Sequence, residues 1–154
     1  MLGGGLCTTL HDYMRFLDMI YHNGVFEEKQ ILKPETIHEM QADQVGNAEV
    51  HPGEYVERAL KKYHTGIYGW GEWRELIDEA TGEAYQISSP GWAGAYPWIN
   101  KQDRVYGFFI AHVQGSSQKE DGFSSFFGSP VISQTVSNII SLKKTQRHMK
   151  AVSR

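Results

Sequence analysis

The segment Val105 to Val113 is apolar on both of its faces, and few folds can accommodate such a strand. Val105, Phe109, Ala111 and Val113 fall on one side of the pleat, Tyr106, Phe108 and Ile110 on the other. A strand of that kind belongs in the middle of a sheet, covered on both sides. Its place in the chain nevertheless makes it the last strand of a meander, and folded proteins hide an open hydrophobic edge. Something is expected to pair with it or cover it, so the chain is not expected to be a simple monomer.

The remaining pattern supplies the elements around this strand. A first helix is expected from about Thr9 to Asn23. Thr9 caps it with Asp12 at the third helical position, Leu10, Tyr13, Phe16, Leu17 and Ile20 share a face, and Gly24 is the stop. A second starts at Pro34 and presents Ile37 and Met40, with Val45 at its far end. Residues 46–63 read as a long surface loop with one helical turn near Val56 to Lys61. Strands follow over Ile67 to Trp73, Ala84 to Ser88, Gly94 to Ile99 and Val105 to Val113, with Glu79-Ala80-Thr81-Gly82-Glu83 as a turn. A polar loop from Gln114 to Gly128 leads to Ser129-Pro130, a cap and first helical residue. The last helix then places Ile132, Val136, Ile139 and Ile140 on one face and frays near His148. Helices, an antiparallel β-meander and a closing helix make an α+β fold. With 154 residues, 40% of them hydrophobic, a single domain or part of one spanning 1–154 is expected.

Charge and composition exclude several classes. The net charge of -3 gives no reason to expect nucleic acid or an anionic membrane as partner. The basic run of Lys143, Lys144, Arg147, Lys150 and Arg154 suits the negative pole of a helix end. Cys7 is the only cysteine, which rules out an internal disulfide. No stretch is apolar enough for a membrane span. The seven histidines show neither H-x-x-x-H nor paired Cys/His spacing, so no metal site is expected. Gly3-Gly4-Gly5 lacks the preceding strand and following Lys-Ser/Thr of a phosphate cradle and reads as an entry turn.

The chemistry concentrates in Ser89-Pro90-Gly91-Trp92-Ala93-Gly94-Ala95-Tyr96-Pro97-Trp98-Ile99-Asn100, where a small-residue tripeptide runs into an aromatic strand and a turn. Two more stretches stand upstream in order, Gly3-Gly4-Gly5-Leu6-Cys7-Thr8-Thr9 before a helix and Tyr68-Gly69-Trp70-Gly71-Glu72-Trp73. Together they resemble the carboxyl-terminal part of the serine β-lactamase and penicillin-binding-protein family, in particular the hydrolases related to class C β-lactamases. The resemblance covers essentially the whole chain and implies an incomplete β-lactamase-like domain. Its parent would be a bacterial, periplasmic or cell-envelope enzyme hydrolysing an ester, amide or β-lactam through an acyl-enzyme, with no metal or organic cofactor. Ser89-Pro90-Gly91 corresponds to the family's third motif, normally of the K-T-G or H-x-G kind. The resemblance then implies that Gly91 lets the backbone approach a small acyl substrate and that the Trp92 N–H is one oxyanion donor, with Ser89 and Pro90 on the substrate side. Ser89 replaces the family's cationic or imidazole residue and Pro90 its hydroxyl residue, so the groups with which the family would bind a substrate carboxylate are not present at these two positions. The doubly apolar strand also has an explanation, since in that fold it pairs with amino-terminal strands. The expected partners are that missing part or a second copy of the chain.

Other matches to the family's motifs are poorly placed. Ser116-Ser117-Gln118-Lys119 and Ser141-Leu142-Lys143-Lys144 fit S-x-x-K, but the first lies in a polar loop downstream of the other motifs and the second near a charged helix end. Tyr21-His22-Asn23 fits Y-x-N at the tail of a helix. His64-Thr65-Gly66 is the nearest rival to Ser89-Pro90-Gly91, but it precedes the aromatic strand it should follow. A serine hydroxyl attacks only when a base accepts its proton, and no such pair is expected in this chain, which should be inert alone. Two other classes remain: a non-catalytic interaction protein that pairs through its open sheet edge, and a small independent enzyme built on His64 or another residue.

Overall fold

A computed structural model of the chain describes residues 7–48, 65–91, 94–110 and 125–152. Helix α1 (Leu10–Tyr21) begins as its sequence dictates: the Thr9 hydroxyl accepts from the Asp12 N–H at 3.1 Å and donates to its carboxylate at 2.7 Å. It ends where Asn23 and Gly24 turn left-handed (φ 53° and 89°) and the Gly24 N–H reaches back to the Met19 carbonyl at 2.8 Å. A Cβ on Gly24 would stand 2.0 Å from the Leu32 carbonyl oxygen, so no other residue fits there. The buried positions are Leu17, Met19 and Ile20, whereas Leu10 and Phe16 of the expected face are 56% and 46% exposed.

A short hairpin, β1 (Val25–Phe26) and β2 (Lys29–Gln30), follows. Its central residues Glu27 and Glu28 both have positive φ, the geometry of a tight primed turn usually carried by Asn or Gly, so nothing in the residue types marks the turn. Helix α2 (Pro34–Gln41) starts at its proline and buries Ile37. It stops short of Val45, because the Asp43 carboxylate accepts the N–H groups of Val45 and Gly46 at 2.9 and 3.0 Å and closes a turn there. The helical turn expected near Val56 to Lys61 lies outside the described residues.

The main sheet has four antiparallel strands in sequence order: β3 (Trp73–Ile77), β4 (Ala84–Ser88), β5 (Ala95–Asn100) and β6 (Val105–Ile110). The expected first strand, Ile67 to Trp73, is a correction. This segment folds back on itself, with the Gly69 N–H on the Glu72 carbonyl (2.9 Å) and the Arg74 N–H on that of Ile67 (2.8 Å), and the strand begins only at Trp73. Two glycines explain the reversal. Gly71 has φ 83°, and a Cβ on Gly69 would lie 2.4 Å from the Met40 carbonyl oxygen.

The sheet is covered on two sides. Ile87, Ile99, Tyr106 and Phe108 pack with α1, where the Phe108 ring lies 4.7 Å from that of Tyr13 and Tyr106 lies 5.2 Å from Tyr21. The Tyr106 hydroxyl donates to Asp18, which pushes its pKa up to about 12. On the other side, Gln86, Ser88 and Tyr96 lie under α3 (Ser125–Val152). This helix begins before the expected Ser129-Pro130 start, carries Pro130 inside, and continues past His148. Its buried stripe also differs from the expected one. Ser133 and Ser137 face inward, while Ile139 is 46% exposed. Small hydroxyl side chains let the helix come close to a polar sheet face, which an isoleucine stripe would not. Strand β6 ends the described sheet, with Gly107 buried against the Trp98 ring and Ile110 65% exposed; residues 111–113 of the expected strand lie outside the described residues.

Candidate functional site

The sheet's α1 side opens into a cavity of about 250 Å³. Tyr13, Phe16 and Leu17 of α1 form one wall and Met40 at the end of α2 another. The turn Trp70-Gly71-Glu72 and the ends of β4 and β5, from Ser88 and Ser89 to Pro97, close the rest. The turn is held by the Trp70 N–H on the Met40 carbonyl at 2.8 Å and by the Ser89 hydroxyl, which donates to the Gly71 carbonyl at 3.2 Å.

Of the site residues expected from sequence, Ser89 is therefore on the cavity. Beyond it the β4–β5 ladder continues, with Ser89 N–H on the Pro97 carbonyl (3.2 Å) and Gly91 N–H on that of Ala95 (2.7 Å), and closes where Gly94 donates to Gly91 at 2.9 Å. Pro90 and Gly91 thus stand in the last rungs of a hairpin, next to Ser89 but not among the residues lining the cavity. Among the described residues a Cβ on Gly91 would touch only Ala95, at 3.6 Å, so the backbone there is open to approach. Trp92, the expected oxyanion donor, lies outside the described residues, as do the rivals His64 and Ser116. Tyr21-His22-Asn23 closes α1, with the His22 ring on the Asp18 carbonyl at 3.0 Å, and Ser141 is on an exposed stretch of α3.

Two residues that sequence reasoning passed over dominate the cavity's electrostatics. Glu72 is held in an apolar surround where its Oε1 atom is buried without a hydrogen-bond donor among the described residues. Burial pushes its carboxyl up to about 7, although Lys101 pulls in the opposite direction. Tyr13 is raised as well, first by burial and then by the facing Glu72 charge. The one available signal was a glutamate interrupting the run Tyr68-Gly69-Trp70-Gly71-Trp73, which read only as a departure from the motif.

A second, polar hollow borders α2 and the β3–β4 turn. Its guanidinium is already used. Arg74 donates to the carbonyls of Gln41 (3.1 Å), Gly66 and Gly82, and Lys101 donates to the Gln41 side chain. Burial lowers the pKa of both cations. Among the described residues no His, Cys, Asp and Glu gather in a group that could hold a metal ion, and no helix is long and apolar enough to cross a membrane.

No protein-family model and no curated protein matches the chain. Among solved structures the chain is similar to a "putative beta-lactamase" from Bacteroides dorei DSM 17855, with 75% sequence identity and a TM-score of 0.84 over 92% of its own length. It spans 42% of the length of that protein. The chain is therefore β-lactamase-like in sequence and in its α+β fold.

Proposed function

We propose that the chain is the carboxyl-terminal part of a serine hydrolase related to class C β-lactamases and penicillin-binding proteins. In this reading the parent cleaves an ester, amide or β-lactam through an acyl-enzyme. One observation carries the proposal: a close sequence match that occupies nearly all of this chain but less than half of its β-lactamase-like counterpart. The cavity beside Ser89 supplies one wall of the substrate site, Ser89 and Pro90 bordering the acyl group. Gly91 leaves room for the scissile carbonyl and the Trp92 N–H stabilises the oxyanion. The nucleophile and its base come from upstream, because the Ser89 hydroxyl donates to a backbone carbonyl and meets no base among the described residues. A bacterial periplasm or cell envelope is the setting that goes with this reading.

A fluorophosphonate, which traps an activated serine, tests it. The longer protein should be labelled at a serine outside these 154 residues, and the chain alone should be unlabelled and inert toward nitrocefin and p-nitrophenyl acetate. Gly91→Ala in the longer protein should leave folding intact and lower turnover about tenfold or more. Labelling within this chain that disappears on Ser116→Ala would overturn the proposal.

The open end of the sheet favours a second, compatible reading as an interaction surface. Strand β6 has no neighbour on its far side among the described residues and leaves Ile110 exposed, so the upstream part or a second copy of the chain would cover it. Light scattering that finds a stable monomer, with fast amide exchange along Val105 to Ile110, would remove this reading.

A further inference from the structure

The cavity has an electrostatic character that the acyl-hydrolase reading does not explain. Glu72 is the only Asp, Glu, Lys or Arg among the residues lining it, and the rest of the wall is apolar or aromatic apart from two serines. One serine, Ser89, donates to the Gly71 carbonyl, and the other, Ser88, donates to Glu75. A carboxyl oxygen removed from water without a donor is unfavourable, and either a proton or a cation relieves it. Lys101 influences it from the neighbouring hollow, but its ammonium is hydrogen-bonded to Gln41 and makes no ion pair with Glu72. The side chains of Tyr13, Phe16 and Trp70 belong to residues lining the same cavity, and aromatic faces attract cations rather than anions.

We infer that this cavity takes the cationic end of its ligand, an alkyl- or arylalkylammonium group, with Glu72 Oε1 as acceptor and Tyr13, Phe16 and Trp70 around it. The assignment of that ammonium to an acyl substrate rests on the function proposed above; the binding itself does not. If both hold, the parent hydrolase prefers amine-bearing substrates where a site with a cation at Ser89 would prefer carboxylate-bearing ones.

Calorimetry with three probes of similar shape tests the inference: phenethylammonium, 2-phenylethanol and 3-phenylpropionate. At pH 8 the ammonium should bind at least about tenfold more tightly than the alcohol, and the carboxylate more weakly than either. Lowering the pH to 6 protonates Glu72 and should remove most of the ammonium's advantage while leaving the alcohol unchanged. Glu72→Gln should bind ammonium and alcohol alike at both pH values. Equal binding of the three probes to the unaltered protein, absence of ammonium binding at millimolar concentration, or an ammonium preference that survives Glu72→Gln would each overturn it. Should the variant fail to fold, the pH series on the unaltered protein decides. Fluorophosphonate labelling separates the two ideas: charge selection without labelling of the longer protein leaves the cation site and removes the hydrolase, and labelling without charge selection does the reverse.

Discussion

Glu75 and Glu72 are three residues apart and sit in opposite environments. Glu75, on the α3 side of the sheet, is 4% exposed, and its carboxyl oxygens accept from Gln86 at 2.7 Å, Ser88 at 2.5 Å and Tyr96 at 2.8 Å. Ser133 of α3 joins the same network through Gln86 and Tyr96, both at 3.1 Å. Glu72, on the α1 side, has a buried oxygen with no donor among the described residues. A carboxyl group surrounded by donors orients the elements that bring them. One left without a donor costs stability and keeps an acceptor available to something else.

The largest test of this contrast removes the satisfied group. Glu75→Ala should destabilise the fold by about 3 kcal/mol or more in urea unfolding, because three buried donors lose their acceptor at once. A loss below about 1 kcal/mol would mean that the network does not hold α3 to the sheet.

The equivalent change on the other side should have the opposite sign. With its carboxyl pushed up to about 7 from an ordinary value near 4.5, Glu72 keeps in the folded chain a proton that the unfolded chain gives up. The stability it contributes is complete below about pH 4.5 and is lost as the pH rises through about 7. Glu72→Gln should therefore match the native protein near pH 4 and be more stable by about 1 to 3 kcal/mol at pH 8. Thermal unfolding across that range reads the effect directly.

Two serines on one face of α3 sharpen the comparison further. Ser133 bonds the network and the Pro130 carbonyl at 3.0 Å, so Ser133→Ala should cost about 1 kcal/mol. The Ser137 hydroxyl, also buried, has no hydrogen-bond partner among the described residues, so Ser137→Ala should be neutral or stabilising by about 0.5 kcal/mol in the same denaturation experiment.

What could be read from sequence follows the range of the forces involved. The Thr9 cap, the Gly24 stop, the Pro34 start and the turn around Gly82 are decided within a few residues, and all appear where they were expected. Strand β4 matches as well, since the turn at Gly82 sets where it begins. The misreadings depended on distant groups. Ile67 to Trp73 has strand composition but turns back because two glycines fit against the end of α2. Ile139 falls on the apolar face of α3 by spacing but is exposed, because the helix buries Ser133, which meets Gln86 and Tyr96, and Ser137 instead. At the site, Ser89 was found by resemblance, while Glu72 acquires its character only when α1 and the sheet exclude water from it.

The Arg74 clamp bears on the order in which the molecule comes together. Its guanidinium draws in carbonyls from residues 33 positions earlier, 8 earlier and 8 later, so all three chain segments must have arrived before the fork is occupied. Its own N–H is meanwhile tied to Ile67, at the root of the turn that carries Glu72. The segment at the mouth of the cavity is thereby tied to α2 and to the β3–β4 turn, and a local opening that releases the clamp frees it as well. An arginine that does not line the cavity thus fixes one side of its mouth.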